Sequence, residues 1–260
     1  MASEQEKKHD EIMKELKAER DRTKALQAEL QTQERESKRA ERGAALCLAI
    51  QRDQLRVAMK MLQEHGQSEL DAGYFDANGM TPLHHAARAI CVPLFDAILA
   101  RAPSTIDAIS LFSRTPSQWS VLNCFADTPR ASDSGHQEAH MHLCRRLCEQ
   151  MSLAALGNIT GNGTTAIHQL VARGHRSLQG VLETMSSRLG RRATAELINT
   201  RVGRHGLGAV DTALRCNKDV VPLLKTHGGV EMAQAPSDWQ RNRRRWGGDG
   251  VANVRSDDKR

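Results

Sequence analysis

Four stretches of the chain share one pattern: "NGMTPLHHAAR" (78–88), "FSRTPSQWSVL" (112–122), "NGTTAIHQLVA" (162–172) and "HGLGAVDTALR" (205–215). Each opens on a turn. Thr-Pro or a near equivalent follows, then an apolar residue, a polar residue and two small or apolar ones. A second stretch with helical periodicity comes next in every case: "VPLFDAILARA", "MHLCRRLCEQM", "SLQGVLETM" and "DVVPLLKTHGG". Thr81 and Thr115, taken as matching positions, lie 34 residues apart. A recurrent helix–turn–helix unit of this size cannot bury its apolar face alone. Neighbouring units must stack, so internal repetition constrains this chain more than any other feature.

Local chemistry agrees with that reading. Pro82 stands at the first helical position, where a missing N–H is tolerated. Gly79, Gly163 and Gly206 suit turn conformations that are closed to residues with a side chain. Leu83, Ala86 and Ala87 form an apolar stripe whose small members let helices approach closely. Hydrophobic residues make up 39% of the chain but aromatics only 3%, a balance that favours helices over a sandwich or barrel.

These units resemble the ankyrin repeat, whose unit of about 33 residues carries a T-P-L-H-x-A signature. "DANGMTPLHHAAR" matches it almost letter for letter, and "VVPLLKTHGG" is similar to its second helix and glycine exit. "ALCLAIQRDQLRVAMKMLQEHG" (45–66) reads as a degenerate first unit. The resemblance implies an all-α ankyrin-repeat solenoid of about five units over 44–230, preceded by a long charged helix at 1–43 and followed by a disordered basic tail at 231–260. Inserts are expected near 123–140 and 186–202, the second of which adds a helix.

The resemblance also divides the adjacent histidines His84 and His85. The motif histidine of the family hydrogen-bonds the turn threonine, which makes Thr81, Pro82 and His84, with Thr165 and His168, structural. His85 takes the variable position after it and is expected at the surface, facing a concave groove. By alignment, Trp119 and Gln169 share that position, and Arg88 and Arg215 lie one turn on. Met80, Arg114 and Leu207 take the finger turns, with Leu111 and Phe112 beside them. Together these residues are expected to bind a partner protein, because Trp and Arg dominate interface hot spots. Trp119 packed beneath the 123–140 insert is the competing reading.

Residues 1–42 contain neither Gly nor Pro and carry 11 basic and 11 acidic residues. Glu4/Lys8, Asp10/Lys14 and Glu34/Lys38 sit one turn apart with the acid first, the favourable order. A 4-3 spacing through Ile12, Leu16, Glu19, Thr23, Leu26, Leu30, Gln33, Ser37 and Ala40 has four strong apolar positions out of nine, so the seam is interrupted. A solvated charged helix and a weak self-association seam therefore both stay open.

The start of the chain has no apolar signal core, and no apolar run approaches bilayer length. An intracellular protein with reduced thiols is expected, with the cytoplasm ahead of the nucleus and no membrane partner. Net charge is +6, and 236–260 holds seven basic and four acidic residues. "WQRNRRRW" (239–246) offers an alternative function, a nucleic-acid-associated factor using that basic tail. His136, His140, Cys144 and Cys148 recur every four residues, but ligands strung along one helix cannot all close on one zinc ion. No metal or other cofactor is expected. Phosphate-loop, nucleophile-elbow and zinc-protease motifs are absent, so a non-catalytic interaction module or scaffold is expected rather than an enzyme.

Overall fold

A computed structural model describes residues 2–110, 118–128, 134–161, 163–173, 177–202 and 206–231, without the side chains of 2–8, 10, 12 and 134–137. Among these residues all regular structure is helical, apart from two isolated antiparallel bridges, Ile109–Ser120 and Val202–Leu207. The chain forms two compact units, Met1–Thr128 and Pro129–Arg260. No helix of the described residues is long and apolar enough to cross a membrane.

The first unit begins with α1 (Ala2–Gln51) and continues through α2 (Leu55–Glu64), α3 (Pro82–Arg88), α4 (Val92–Arg101) and α5 (Val121–Ala126). The charged helix does not stop at residue 43. It runs on unbroken and supplies the first core helix, burying Leu46, Cys47, Ala49 and Ile50. Gly43 is the one poor helix former at the point where composition changes, and its cost of about 1 kcal/mol does not end a helix flanked by good formers on both sides. Gly43 marks the entry into the core. A Cβ there would sit 2.6 Å from Tyr74 Cβ and 2.7 Å from the Asp71 carbonyl oxygen. The bare backbone lets the 71–74 turn close on α1, where Asp71 N–H donates to the Arg39 carbonyl at 3.3 Å. α1 packs on α2 and α3, and α3 packs on α4 and α5.

Short helices leave many terminal backbone groups unpaired, and side chains from later elements supply the partners. Arg101, at the end of α4, donates to the carbonyls of His65 and Leu62 at the end of α2. Leu83, Ala86, Ala87, Leu94, Phe95 and Phe125 are fully buried, so the expected stripe of α3 does face the core.

The second unit contains α6 (Ser134–Gln150), α7 (Leu153–Leu156), α8 (Ala166–Ala172), α9 (Leu178–Ile198), α10 (Ala209–Cys216) and α11 (Val221–Thr226). α6 lies against α9, α8 against α9 and α10, and α10 against α11. Arg188 of α9 donates to the Cys148 and Met151 carbonyls at 2.6 and 2.5 Å, capping the end of α6. Arg101 does the same for α2, at a similar sequence separation.

The first expected insert takes another form, and the second carries the helix expected of it. Residues 121–126 are helix α5 and 134–150 are α6. Residues 186–202 do carry an added helix: the helical run of α9 is interrupted at Gly190, whose φ of 83° and ψ of 160° are non-helical and open to glycine, and helix resumes through Ile198.

Candidate interaction surface

The turn before α3 is organised by one carboxylate. Asp76 Oδ1 accepts the N–H groups of Asn78 and Met80 at 2.7 and 2.9 Å. Its backbone N–H donates to the Met80 carbonyl at 2.9 Å. Asp76 Oδ2 lies 2.8 Å from Gln51 Nε2 and 2.8 Å from His85 Nε2. One side chain thus closes the finger turn and ties it to α1 and α3. Gly79, at φ 64°, completes the turn.

Immediately after the finger, Thr81 and His84 form a local lock. His84 Nδ1 accepts the Thr81 N–H at 3.2 Å and lies 2.8 Å from Thr81 Oγ1. The ring proton must then sit on Nε2, which donates to the Trp119 carbonyl at 3.2 Å. Burial pushes His84 down to about 4, against the opposing effect of that bond to Trp119. A neutral imidazole is what the lock requires, since Nδ1 must keep a lone pair.

The same arrangement recurs in the second unit. Thr165 Oγ1 lies 2.7 Å from His168 Nδ1, and His168 Nε2 reaches the Leu207 carbonyl at 3.3 Å. Burial pushes His168 down to about 4 as well. The finger before it pairs Thr160 N–H with the Thr164 carbonyl at 2.8 Å. Two further sites carry the lock with other residues. Asn123 Oδ1 accepts the Ser120 N–H at 3.1 Å and the Ser120 hydroxyl at 2.8 Å. Asp211 Oδ2 accepts the Gly208 N–H at 3.0 Å.

Ser120 and Asn123 overturn one alignment made from sequence. The lock of that segment begins at Ser120, and Thr115 lies outside the described residues. Thr-Pro is a strong turn signal, whereas Ser-Val-Leu-Asn reads as a motif only once Asn is accepted as a substitute for His. Trp119 consequently moves from the helix-face position to the end of the finger, the place held by Met80, Thr164 and Leu207. Its Nε1 is buried and finds no hydrogen-bond partner among the described residues.

His85 is the second correction. It is 7% exposed and held between Asp76 and Gln51, whose Nε2 is 3.0 Å from its ring. α3 packs against α1, whose last residue, Gln51, covers the histidine expected at the surface. Burial lowers its basicity, with the Asp76 contact opposing.

Of the remaining interaction residues, Arg88 and Arg215 are exposed, and Met80, Trp119, Gln169 and Leu207 are half-buried. Thr81, Pro82, His84, Thr165 and His168 are buried. In the first unit Met80, Arg88 and Trp119 belong to adjoining segments, the finger, the end of α3 and the next finger. In the second unit Leu207 shares its finger with Val202 through paired 3.0 Å bonds, and Arg215 lies on α10. Leu111, Phe112, Arg114 and the tail "WQRNRRRW" lie outside the described residues. Asp76, Gln51 and Asn123 were missed. The Asp-x-x-Gly spacing before Thr81 was visible in the sequence; Gln51 gave no local sign.

Cys47, Cys124, Cys144 and Cys148 are buried, whereas Cys91 is half-buried and Cys216 exposed. Burial pushes the Cys47 and Cys148 thiols up to about 12 and raises Cys124 and Cys144. Cys144 and Cys148 belong to the α6 face that buries Leu143 and Leu147. No group of three or more His, Cys, Asp or Glu side chains placed to hold a metal occurs among the described residues. No protein-family model matches this chain, and no curated protein matches its sequence.

Proposed function

We propose that this chain is an ankyrin-type repeat protein acting as a non-catalytic interaction module, which binds a partner protein through its finger turns and first helices. The observation that carries the reading is the recurrence of one long-range lock. Thr81–His84 reaches the Trp119 carbonyl, and Thr165–His168 reaches the Leu207 carbonyl. In both cases a motif histidine grips the residue that ends a later finger. Such coupling holds successive fingers at a fixed spacing, which is what a repeat scaffold supplies to a partner. Arg101 and Arg188, each capping an earlier helix, add a second recurring link.

The proposed contact residues are the exposed Arg88 and Arg215 with the half-buried Met80, Trp119, Gln169 and Leu207. The test is affinity capture from lysate with the intact chain and with Arg88→Glu/Arg215→Glu, after matching their helical circular dichroism. Capture of a defined protein by the intact chain alone supports the reading. Equal capture by both, or capture abolished by nuclease, overturns it in favour of another surface or of nucleic acid.

A further inference from the structure

From Met13 to Arg39 every side chain of α1 is exposed, so this stretch stands clear of the core. A helix without tertiary support is marginal in water unless side-chain pairs or a partner stabilise it. Among its described side chains one ion pair runs within α1, Glu34–Lys38 at 2.6 Å. Leu26 and Leu30 are 66% and 67% exposed, and Leu16 is 58% exposed. They fall on a 4-3 seam with Glu19, Thr23, Gln33, Ser37 and Ala40.

We propose that α1 associates with α1 of a second copy of this chain as a staggered antiparallel pair centred on Ala28. The proposal is independent of the partner-binding reading above. Three registers bring the leucines together, and the charges beside the seam choose among them. In a parallel pair, Glu15 meets the partner's Arg20. However, Glu29 then faces the partner's Glu34, and Glu36 faces the partner's Glu41. An antiparallel pair centred on Asp21 sets Arg20 and Arg22 against their own copies, and Glu15 against the partner's Glu29. Centred on Ala28, Arg22 faces the partner's Glu36 and Arg20 faces the partner's Glu34, each twice by symmetry. Glu29 against the partner's Glu29 is the one like-charge contact left.

This register also places Leu26 on the partner's Leu30 twice, making a four-leucine centre, with Leu16 over the partner's Ala40 at each end. The overlap covers residues 16–40, about 37 Å of helix at 1.5 Å per residue. Arg20, Arg22, Glu29 and Glu36 form no ion pair among the described residues, so their charges are available to a neighbour. A seam half polar and half apolar fits a reversible dimer rather than an obligate one.

Sedimentation equilibrium of the full chain tests this, with reversible dimerisation expected on the order of tens of micromolar. Arg22→Glu and Glu36→Arg should each weaken the dimer by about tenfold, since each turns two attractive contacts into repulsive ones. The double variant Arg22→Glu/Glu36→Arg should restore it. Leu26→Glu/Leu30→Glu should be monomeric with its helical signal intact. Glu29→Cys, which faces itself only in this register, should oxidise to a covalent dimer faster than the outward-facing Lys24→Cys. A chain that stays monomeric throughout the range, a charge swap that fails to restore, or equal oxidation at 24 and 29 overturns the proposal.

Discussion

Lowering the pH from 7 to 5 should destabilise this protein through His84 and His168. Both imidazoles are buried, with Nδ1 committed as an acceptor and Nε2 donating to a distant carbonyl. Their ordinary value is 6.5, and burial depresses each to about 4. The folded state therefore binds fewer protons than the unfolded chain between those limits. Stability is fully present above pH 6.5 and declines as pH falls toward 4. At pH 5 the unfolded histidine is almost wholly protonated and the folded one almost wholly neutral. The loss is about 2 kcal/mol per histidine, or about 4 kcal/mol for the pair, a large share of ordinary domain stability.

Urea denaturation followed by circular dichroism at pH 7 and pH 5 measures it. Asn is the informative replacement, because Asn123 already performs the local half of the lock at Ser120. His84→Asn and His168→Asn should each cost about 1 kcal/mol at pH 7, the bond to the distant carbonyl being lost. Each should also remove a large part of the acid sensitivity. The charged neighbours are Asp76 and His85 for His84, and Asp211 for His168. His85, itself lowered by burial, should leave a smaller residual slope of the same sign. A wild-type midpoint unchanged between pH 7 and 5 refutes the reasoning. So does a His84→Asn/His168→Asn variant with the full wild-type loss.

Three substitutions test the packing. Gly43→Ala would add about 1 kcal/mol of helix propensity in an isolated peptide, yet thermal unfolding should show a net loss of 1–3 kcal/mol (approximately, as for other overpacked sites), because its Cβ would meet Tyr74 and the Asp71 carbonyl; an unchanged or raised Tm contradicts the close approach. Arg101→Ala should lower stability by about 1–2 kcal/mol by stripping the α2 end of its cap, and hydrogen exchange should quicken at the end of α2 rather than elsewhere. Ile90 holds φ 55°, a left-handed conformation hard on a β-branched residue; Ile90→Asn should raise the urea midpoint by the equivalent of up to about 1 kcal/mol, and a lowered midpoint would show that packing of the half-buried side chain outweighs the strain.

What the sequence determined by itself was local. Thr81 with His84, and Thr165 with His168, are three residues apart, so their pairing follows from one turn of chain. Helix formers with neither Gly nor Pro made residues 1–42 helical, and Leu83, Ala86 and Ala87 marked residues of α3 that are buried. Tertiary structure decided the rest, where the partner is far away in sequence. His85 is buried because Gln51, thirty-four residues earlier, and Asp76 close over it. The lock ahead of α5 starts at Ser120, next to the Trp119 carbonyl that His84 reaches. α1 continues into the core because the 71–74 turn can close on Gly43. A hydrogen bond within one turn is encoded by neighbours in the sequence. One that spans a unit exists only after both segments have been brought together, and burial then selects the side chain that fits.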